Sequence, residues 1–460
     1  MDAFDVFGDG DGEPSSSPAL LPRASEHPQF APCRAFAPIP AATLPPLDGL
    51  EDFGAACAAA LRKTTGDYGR SCAASLVDAC AAYTAGDIPR AAAASRGCHD
   101  LTAVRLDESA WDAPCWQEAQ LLARAIQLAC ALRGAAPSEA SVGALAVGMF
   151  NVAAVLATPL PPFVGPLFAA AEAAVVVARP PPAVADAAWR IPAAPAPTDL
   201  PAMGGGTPIP VVRAADLTPA TFFSRALQPA RPLLIKGHLH AQQWAALDYF
   251  ADLRRLRDEH GGRLVPVNLG SPLVGYGGVE HMSLAQLIDE HLLPSNASHG
   301  APRPPDAAPD EEAACAVAYM SQHHLLHQCA PLQQLCALPP YTLGRPLHPL
   351  NVWLGTRGTV TSLHSDASEN LLAQVAGHKY VRLYGLDQTP HLYASLQRGG
   401  AFGTSPVRVE AADLAAYPQF ASAAYSEAIL EPGDLLYIPK SMWHYLRALT
   451  TSTSINLWFD

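Results

Sequence analysis

The chain has 460 residues, half of them apolar, and carries 29 Lys and Arg against 42 Asp and Glu for a formal net charge of −13. That length leaves room for two domains and a large core, and the apolar half argues against global disorder. The acid excess argues against a nucleic-acid binder that neutralises phosphate with a basic face.

Residues 1–48 are rich in Pro, Ser and Gly and show no period, so disorder is expected there. They open MDAFDVFGDGDGEP, acidic where a secretory or transit signal is basic or acid-poor. None of the ten cysteines forms a C-x-x-C pair, so neither a zinc nor a thioredoxin-type site is indicated. Reduced thiols in the nucleus or cytoplasm are expected. Residues 49–178 are alanine-rich, and segments such as SLVDACAAY and CWQEAQLLARAIQLACALRG place apolar residues at helical spacing. Gly86-Asp87-Ile88-Pro89 and 134–137 break them, which predicts an α-helical domain. Val142–Ala171 has no charged residue, enough for a membrane span, but Asn151, Pro159, Pro161, Pro162 and Pro166 interrupt it. Buried helices and no membrane contact are expected.

Residues 179–207 read as a Pro/Gly/Ala linker. From 208 to 460 the chain turns to short β-rich runs, among them PLLIKG, LNVWLGT, KYVRLYG and DLLYIP, separated by Gly and Pro. An antiparallel sandwich or barrel is predicted, with helical insertions at Thr218–Leu227 and Ser283–Leu292. The segment 294–312 reads as a flexible surface loop.

The chemistry concentrates in NVWLGTRGTVTSLHSDASENLLAQVAGHKYVRLY, residues 351–384. On a strand, His364 and Asp366 project to one face. His444 follows later, just past the run PGDLLYIP. Two imidazoles and one carboxylate can occupy one face of an octahedral metal and leave three positions open, the facial triad of non-haem Fe(II) oxygenases. A lone H-x-D is weak evidence, and Lys379 strengthens it. Gly377 predicts a turn that folds the Lys379 strand back beside the H-x-D strand. A lysine buried there requires an anionic partner, which the far carboxylate of a metal-chelating dicarboxylate supplies.

Together with RPLLIKG, VPVNLG, YMSQHHLLHQ, EPGDLLYIPKSMWHYLRAL and SINLWF, these stretches make residues 205–460 resemble the JmjC-domain oxygenases. Within them the likeness is to the branch described both as lysine-specific demethylases and as arginyl hydroxylases. The resemblance implies an α+β fold class: a double-stranded β-helix, the jelly-roll or cupin-like JmjC domain, preceded by an α-helical N-terminal domain. It implies Fe(II) as metal, with 2-oxoglutarate and O₂ as co-substrates. His364, Asp366 and His444 match the iron ligands. Lys379 and Thr361 match the residues holding the distal carboxylate of 2-oxoglutarate, and Tyr319 and Asn370 match further co-substrate contacts. Trp353 and Trp458 match aromatic residues near the iron and the substrate pocket, with core packing as the alternative for both.

One position departs from the pattern. Where that branch usually carries an acidic residue to receive a target guanidinium, this chain has Asn268, and a neutral amide cannot form the charge-assisted fork. Tyr276 is the candidate for the nearby aromatic substrate contact. His323, His324 and His327 are read as surface or supporting residues, and Glu431-Pro432-Gly433-Asp434 as a β-turn before the strand that leads to His444.

The activity expected is hydroxylation of a protein or peptide side chain, releasing succinate and CO₂. The target is an arginine, or alternatively a methyl-lysine demethylated by hydroxylation of its N-methyl group. Histones and ribosomal proteins fit as targets, and the helical half is a candidate partner-binding domain. A non-catalytic cupin-like scaffold and a zinc hydrolase are the competing readings. The second leaves Lys379 and Thr361 unexplained.

Overall fold

The computed structural model describes residues 47, 49–64, 66–107, 114–133, 139–155, 161–176, 180–271, 275–299, 317–396 and 403–460. The segment 1–48 expected to be disordered lies outside the described residues, Leu47 apart, and so does 300–312 of the expected surface loop.

The chain divides into two compact units. In the first, the described residues form α1 (Leu50–Thr64), α2 (Gly66–Thr84), α3 (Ile88–Asp107), α4 (Pro114–Arg133), α5 (Glu139–Val155) and α6 (Val164–Val175). Each helix packs on its successor. Alanine serves two ends here: it is the best helix former, and its small side chain lets helix backbones approach. Asp87 caps α3 by accepting the Arg90 N–H at 3.2 Å, with Pro89 in the first turn where a missing N–H costs nothing. Helix α4 is buried nearly all round, from Cys115 and Trp116 to Leu132, as befits the middle of a bundle. The uncharged stretch 142–171 is divided between α5 and α6. No described helix is long and apolar enough to cross a membrane. Residues 262–266 and 279–284 belong to this unit, where Glu172 of α6 accepts from Arg263 Nη1 at 2.8 Å and from the Leu264 N–H at 3.2 Å.

The strands are, in chain order, β1 (Thr207–Pro208), β2 (Val211–Arg213), β3 (Leu233–Lys236), β4 (Leu264–Ser271), β5 (Gly275–Ser283) and β6 (Val317–His323). Then come β7 (Asn351–Gly355), β8 (Val360–Ser365), β9 (Glu369–Ala376), β10 (Lys379–Tyr384), β11 (Ser395–Leu396) and β12 (Gly403–Thr404). The last four are β13 (Ser426–Leu430), β14 (Leu435–Ile438), β15 (Trp443–Ala448) and β16 (Ser452–Phe459). The described strands make a seven-stranded sheet, β1-β13-β10-β15-β8-β12-β11, and a nine-stranded sheet, β2-β3-β14-β9-β16-β7-β6-β4-β5. From β7 on, the chain crosses repeatedly between the two: β7, β9, β14 and β16 lie in the larger sheet, and β8, β10, β13 and β15 in the smaller. This is the double-stranded β-helix expected from the sequence. Leu372, Leu436 and Ile438 of one sheet meet Val381, Leu383, Leu430 and Leu446 of the other in a shared core. The opposite face of the smaller sheet is covered by a second cluster around Tyr380, Tyr384, Phe420 and Trp443.

Three sequence expectations change in detail. The Lys379 strand does not lie beside the H-x-D strand, because β15 separates β10 from β8. The turn at Gly377 carries the chain from one sheet to the other, so β9 and β10 face each other across the core. The linker 179–207 instead contributes packed structure from residue 186 on. Short helices span Asp186–Trp189 and Pro197–Asp199, and Trp189 is buried with Arg254 over its indole. Asp199 pairs with Arg357 at 2.6 Å. The surface loop starts later than expected, since Leu293–Ala297 is helical, with Pro294 in the first turn where proline is favoured. His323 is buried, His324 is half-buried with Nδ1 3.4 Å from the Leu350 carbonyl, and His327 is exposed.

The turn at 431–434 forms as predicted, with the Asp434 N–H donating to Glu431 O at 3.1 Å and Gly433 at φ +102°. Lys236 ties it to β3 through Asp434 at 2.8 Å and Glu431 at 2.9 Å. Gly377 is the other turn that demands glycine. Its φ is +70°, and a Cβ there would collide with the Thr451 carbonyl. Gly377→Ala is expected to cost about 3 kcal/mol, from left-handed strain plus displaced backbone. An unchanged urea midpoint would contradict this account of the crossover.

Candidate metal centre

β8 and β15 are neighbours, and their register pairs His364 with His444 directly. The ladder slips between His444 and Leu446, so the irregularity falls beside the site. The two imidazole centroids stand 4.1 Å apart. Asp366, just past the end of β8, faces both: Oδ1 is 3.6 Å from His364 Nε2, and Oδ2 is 3.5 Å from His444 Nε2. Nδ1 of His364 lies 2.8 Å from the Ser362 carbonyl, and Nδ1 of His444 lies 2.9 Å from the Met442 carbonyl. A backbone carbonyl only accepts, so each Nδ1 carries a proton and Nε2 is the nitrogen each ring turns towards Asp366. Among the described residues this is the one group of three His, Cys, Asp or Glu side chains close enough to share an ion.

Burial, with His364 alongside, pushes the His444 imidazole down to about 4, against the opposing pull of Asp366. It is therefore neutral, and free to ligate, at ordinary pH. Trp458 Nε1 donates to Asp366 Oδ2 at 3.1 Å, and the Ser441 N–H donates to the Asp366 carbonyl at 2.8 Å. Ser441 sits at φ +63°, an uncommon conformation for a residue with a side chain, in the turn that delivers His444. Sequence reasoning had no signal for Ser441. Trp458→Phe should weaken binding of a divalent ion about tenfold, the usual loss when a ligand's supporting hydrogen bond is removed. Titration with Mn(II) checks this, and equal affinity would mean the indole only packs.

Next to the triad lies a second cluster. Lys379 is buried at the start of β10, and its Nζ reaches the Tyr319 hydroxyl at 3.5 Å. That hydroxyl is 3.2 Å from Thr361 Oγ1. Burial alone pushes the Lys379 ammonium down to about 7. One cation, one phenol and one threonine hydroxyl thus point at a common spot with no carboxylate pairing the lysine among the described residues. Such a trio suits an exogenous carboxylate.

A third group lines the larger sheet. Trp458 is paired with Asn370 across β16 and β9, Trp353 with Ser454 across β7 and β16, and Asn268 with Tyr319 across β4 and β6. Trp353 stacks obliquely on Tyr319, centroids 5.9 Å apart. Its Nε1 donates to Asn456 Oδ1 at 2.8 Å, and Asn456 Nδ2 donates to Asn370 Oδ1 at 3.4 Å. Asn456 was not singled out from the sequence. The alternation in SINLWF carries the signal, because Asn456 and Trp458 must share a face. Asn268 donates Nδ2 to Ser321 Oγ at 2.7 Å and lies within 3.4 Å of the Tyr319 carbonyl. The Tyr276 side chain lies outside the described residues.

A β-helix with two histidines and an aspartate converging at its rim defines a metal-binding cupin barrel. The comparisons agree: the model of the cupin-like domain family matches residues 219–460. The chain is 31% identical over 266 residues to lysine-specific demethylase 8 of Xenopus tropicalis, covering 57% of this chain and 55% of that protein. It is 33% identical over 245 residues to lysine-specific demethylase 8 of Danio rerio, covering 52% and 55%. It is 30% identical over 246 residues to Jumonji C domain-containing protein 5 of Drosophila melanogaster, covering 52% and 57%. The chain belongs to the cupin-like domain family, in its JmjC branch. It spans about half the length of the curated relatives it matches.

Proposed function

We propose that this chain is an Fe(II)- and 2-oxoglutarate-dependent oxygenase that hydroxylates a protein side chain, in the manner of an arginyl hydroxylase. The single observation that carries the reading is the buried Lys379 with no carboxylate partner among the described residues, set beside a His–Asp–His cluster. A metal site alone fits many chemistries. A metal site with a neighbouring buried cation fits a chelating keto-diacid, whose far carboxylate supplies the missing charge. The donor set of imidazole and carboxylate suits Fe(II).

When bound, ferrous iron with 2-oxoglutarate and O₂ supplies the oxidising chemistry, with succinate and CO₂ as by-products. The chain's residues do the rest. His364, Asp366 and His444 would hold the ion. Trp458 donates to Asp366 Oδ2 and so steadies the carboxylate between the two imidazoles. Lys379, Thr361 and Tyr319 hold the distal carboxylate. Trp353, Trp458 and Asn268 are the candidates for orienting the target side chain.

The second reading, demethylation of methyl-lysine, is favoured by the names of the Xenopus and Danio relatives. Recognition of a methylated ammonium relies on an aromatic cage, which the sequence does not assemble, while Asn268, a neutral amide that donates Nδ2 to Ser321, supplies no charge-assisted fork to a guanidinium and favours neither target. A compartment that keeps thiols reduced, nucleus or cytoplasm, suits both. Mass spectrometry of peptide substrates with iron, ascorbate and 2-oxoglutarate separates the readings, since oxygen insertion adds about 16 Da and loss of a methyl group removes about 14 Da. Absence of succinate release with any peptide, and of iron in the purified protein, would favour the non-catalytic scaffold over both.

A further inference from the structure

We propose that Asn456 is a positioning residue that sets the polarity of the co-substrate site, by fixing which end of the Asn370 amide faces the bound keto-diacid. This rests on the oxygenase reading above and adds a residue and a direction to it.

An asparagine amide can sit either way round, and its two ends differ in chemistry: Oδ1 accepts, Nδ2 donates. Neighbours decide which end points where. Here the decision starts at Trp353. An indole N–H can only donate, so the atom 2.8 Å from Trp353 Nε1 must be an acceptor, Asn456 Oδ1. That places Asn456 Nδ2 on the far side, 3.4 Å from Asn370, where it must meet an acceptor, Asn370 Oδ1. The remaining end of Asn370 is Nδ2, and it donates to no protein group among the described residues.

Burial fixes the middle of the chain of bonds. Asn456 is 1% exposed and cannot exchange its partners for water. The register supports the chain of bonds. Asn456 and Trp458 share a face of β16, and Trp458 is paired with Asn370 and donates to Asp366. The free Asn370 N–H is therefore on the face that carries the metal cluster. A donor there favours the anionic oxygens of an α-keto-diacid, whereas an acceptor would repel them. Trp353 thus acts at a distance, through one amide, on the charge preference of another.

The test uses the full chain loaded with Mn(II), with 2-oxoglutarate as titrant in a calorimeter. Asn456→Asp keeps the acceptor for Trp353 but removes the donor to Asn370, so the Asn370 amide turns and presents Oδ1 to the co-substrate. The 2-oxoglutarate dissociation constant should rise about tenfold or more, while the Mn(II) dissociation constant and the melting temperature of the metal-loaded protein stay within about twofold and a few degrees of wild type. Trp353→Phe, which frees the Asn456 amide to turn, should give a smaller rise in the same direction. In an Asn370→Ala background, Asn456→Asp should have no further effect, because the amide through which it acts is gone. Loss of Mn(II) binding in Asn456→Asp, wild-type affinity for 2-oxoglutarate, or an undiminished effect in the Asn370→Ala background would each overturn the relay. If wild-type protein loaded with Mn(II) gives no heat with 2-oxoglutarate, the oxygenase reading itself fails; if wild type binds and the variant binds equally, the relay alone fails.

Discussion

Lys379→Met should raise the melting temperature of the ligand-free protein and at the same time destroy its affinity for 2-oxoglutarate. The two effects have one cause. Lys379 is buried, its ammonium reaches the Tyr319 hydroxyl and no carboxylate among the described residues, and burial pushes it down to about 7. An unfolded chain returns it to about 10.4. Between those values the unfolded state binds more protons than the folded state, so stability rises with pH across that window. Below about 7 the penalty is fully present, and above about 10.4 it is gone. Methionine fills similar space without the charge. The gain over wild type should therefore be largest at or below neutral pH, about 2 °C or more, and shrink towards pH 10. Co-substrate binding reverses the balance. A carboxylate beside Nζ restores the proton, so wild type should take up a proton on binding 2-oxoglutarate near pH 8. Calorimetry in buffers of different ionisation enthalpy reads that proton directly. Removing one partner of a buried ion pair costs about 3–5 kcal/mol, so the variant should bind at least a hundredfold more weakly. Equal stability of the two proteins at pH 7, with equal affinity, would mean that Lys379 faces no co-substrate.

Asp366→Ala should remove metal binding and turnover together. The aspartate is the one anion of the cluster, placed 3.6 Å and 3.5 Å from the two imidazole nitrogens that would share the ion. Without it, two imidazoles remain for a divalent ion, and the indole N–H of Trp458 loses its acceptor. Affinity for Fe(II) or Mn(II) should fall by about a thousandfold or more, and succinate release should drop to background. Fold is the control: Asp366 lies past the end of β8 and outside the apolar clusters, so the variant should melt cooperatively within a few degrees of the metal-free wild type. Retained turnover would remove Asp366 from the centre.

The elements that the sequence disclosed are those whose chemistry is local. His364 and Asp366 announce themselves by strand spacing, and Lys379 by its place after a glycine turn. The alanine-rich helices and the β runs follow from period and composition. What stayed hidden depends on pairings between distant strands. That β15 lies between β8 and β10 is a matter of register, invisible in any window of sequence. The same register hides the hydrogen bonds from Trp353 through Asn456 to Asn370, drawn from β7, β16 and β9. The linker misled for another reason. Proline and alanine signal an open chain, yet Trp189 finds a buried seat and Asp199 finds Arg357, and tertiary contacts overrode composition.

The most direct test is a crystal of the full chain grown with Mn(II) and N-oxalylglycine, a non-reacting analogue of 2-oxoglutarate, measured at the manganese absorption edge. A single anomalous peak in contact with His364 Nε2, Asp366 and His444 Nε2, with the analogue bridging from it to Lys379 Nζ, is the expected result. Manganese bound elsewhere, or an analogue whose distal carboxylate lies away from Lys379, would contradict it.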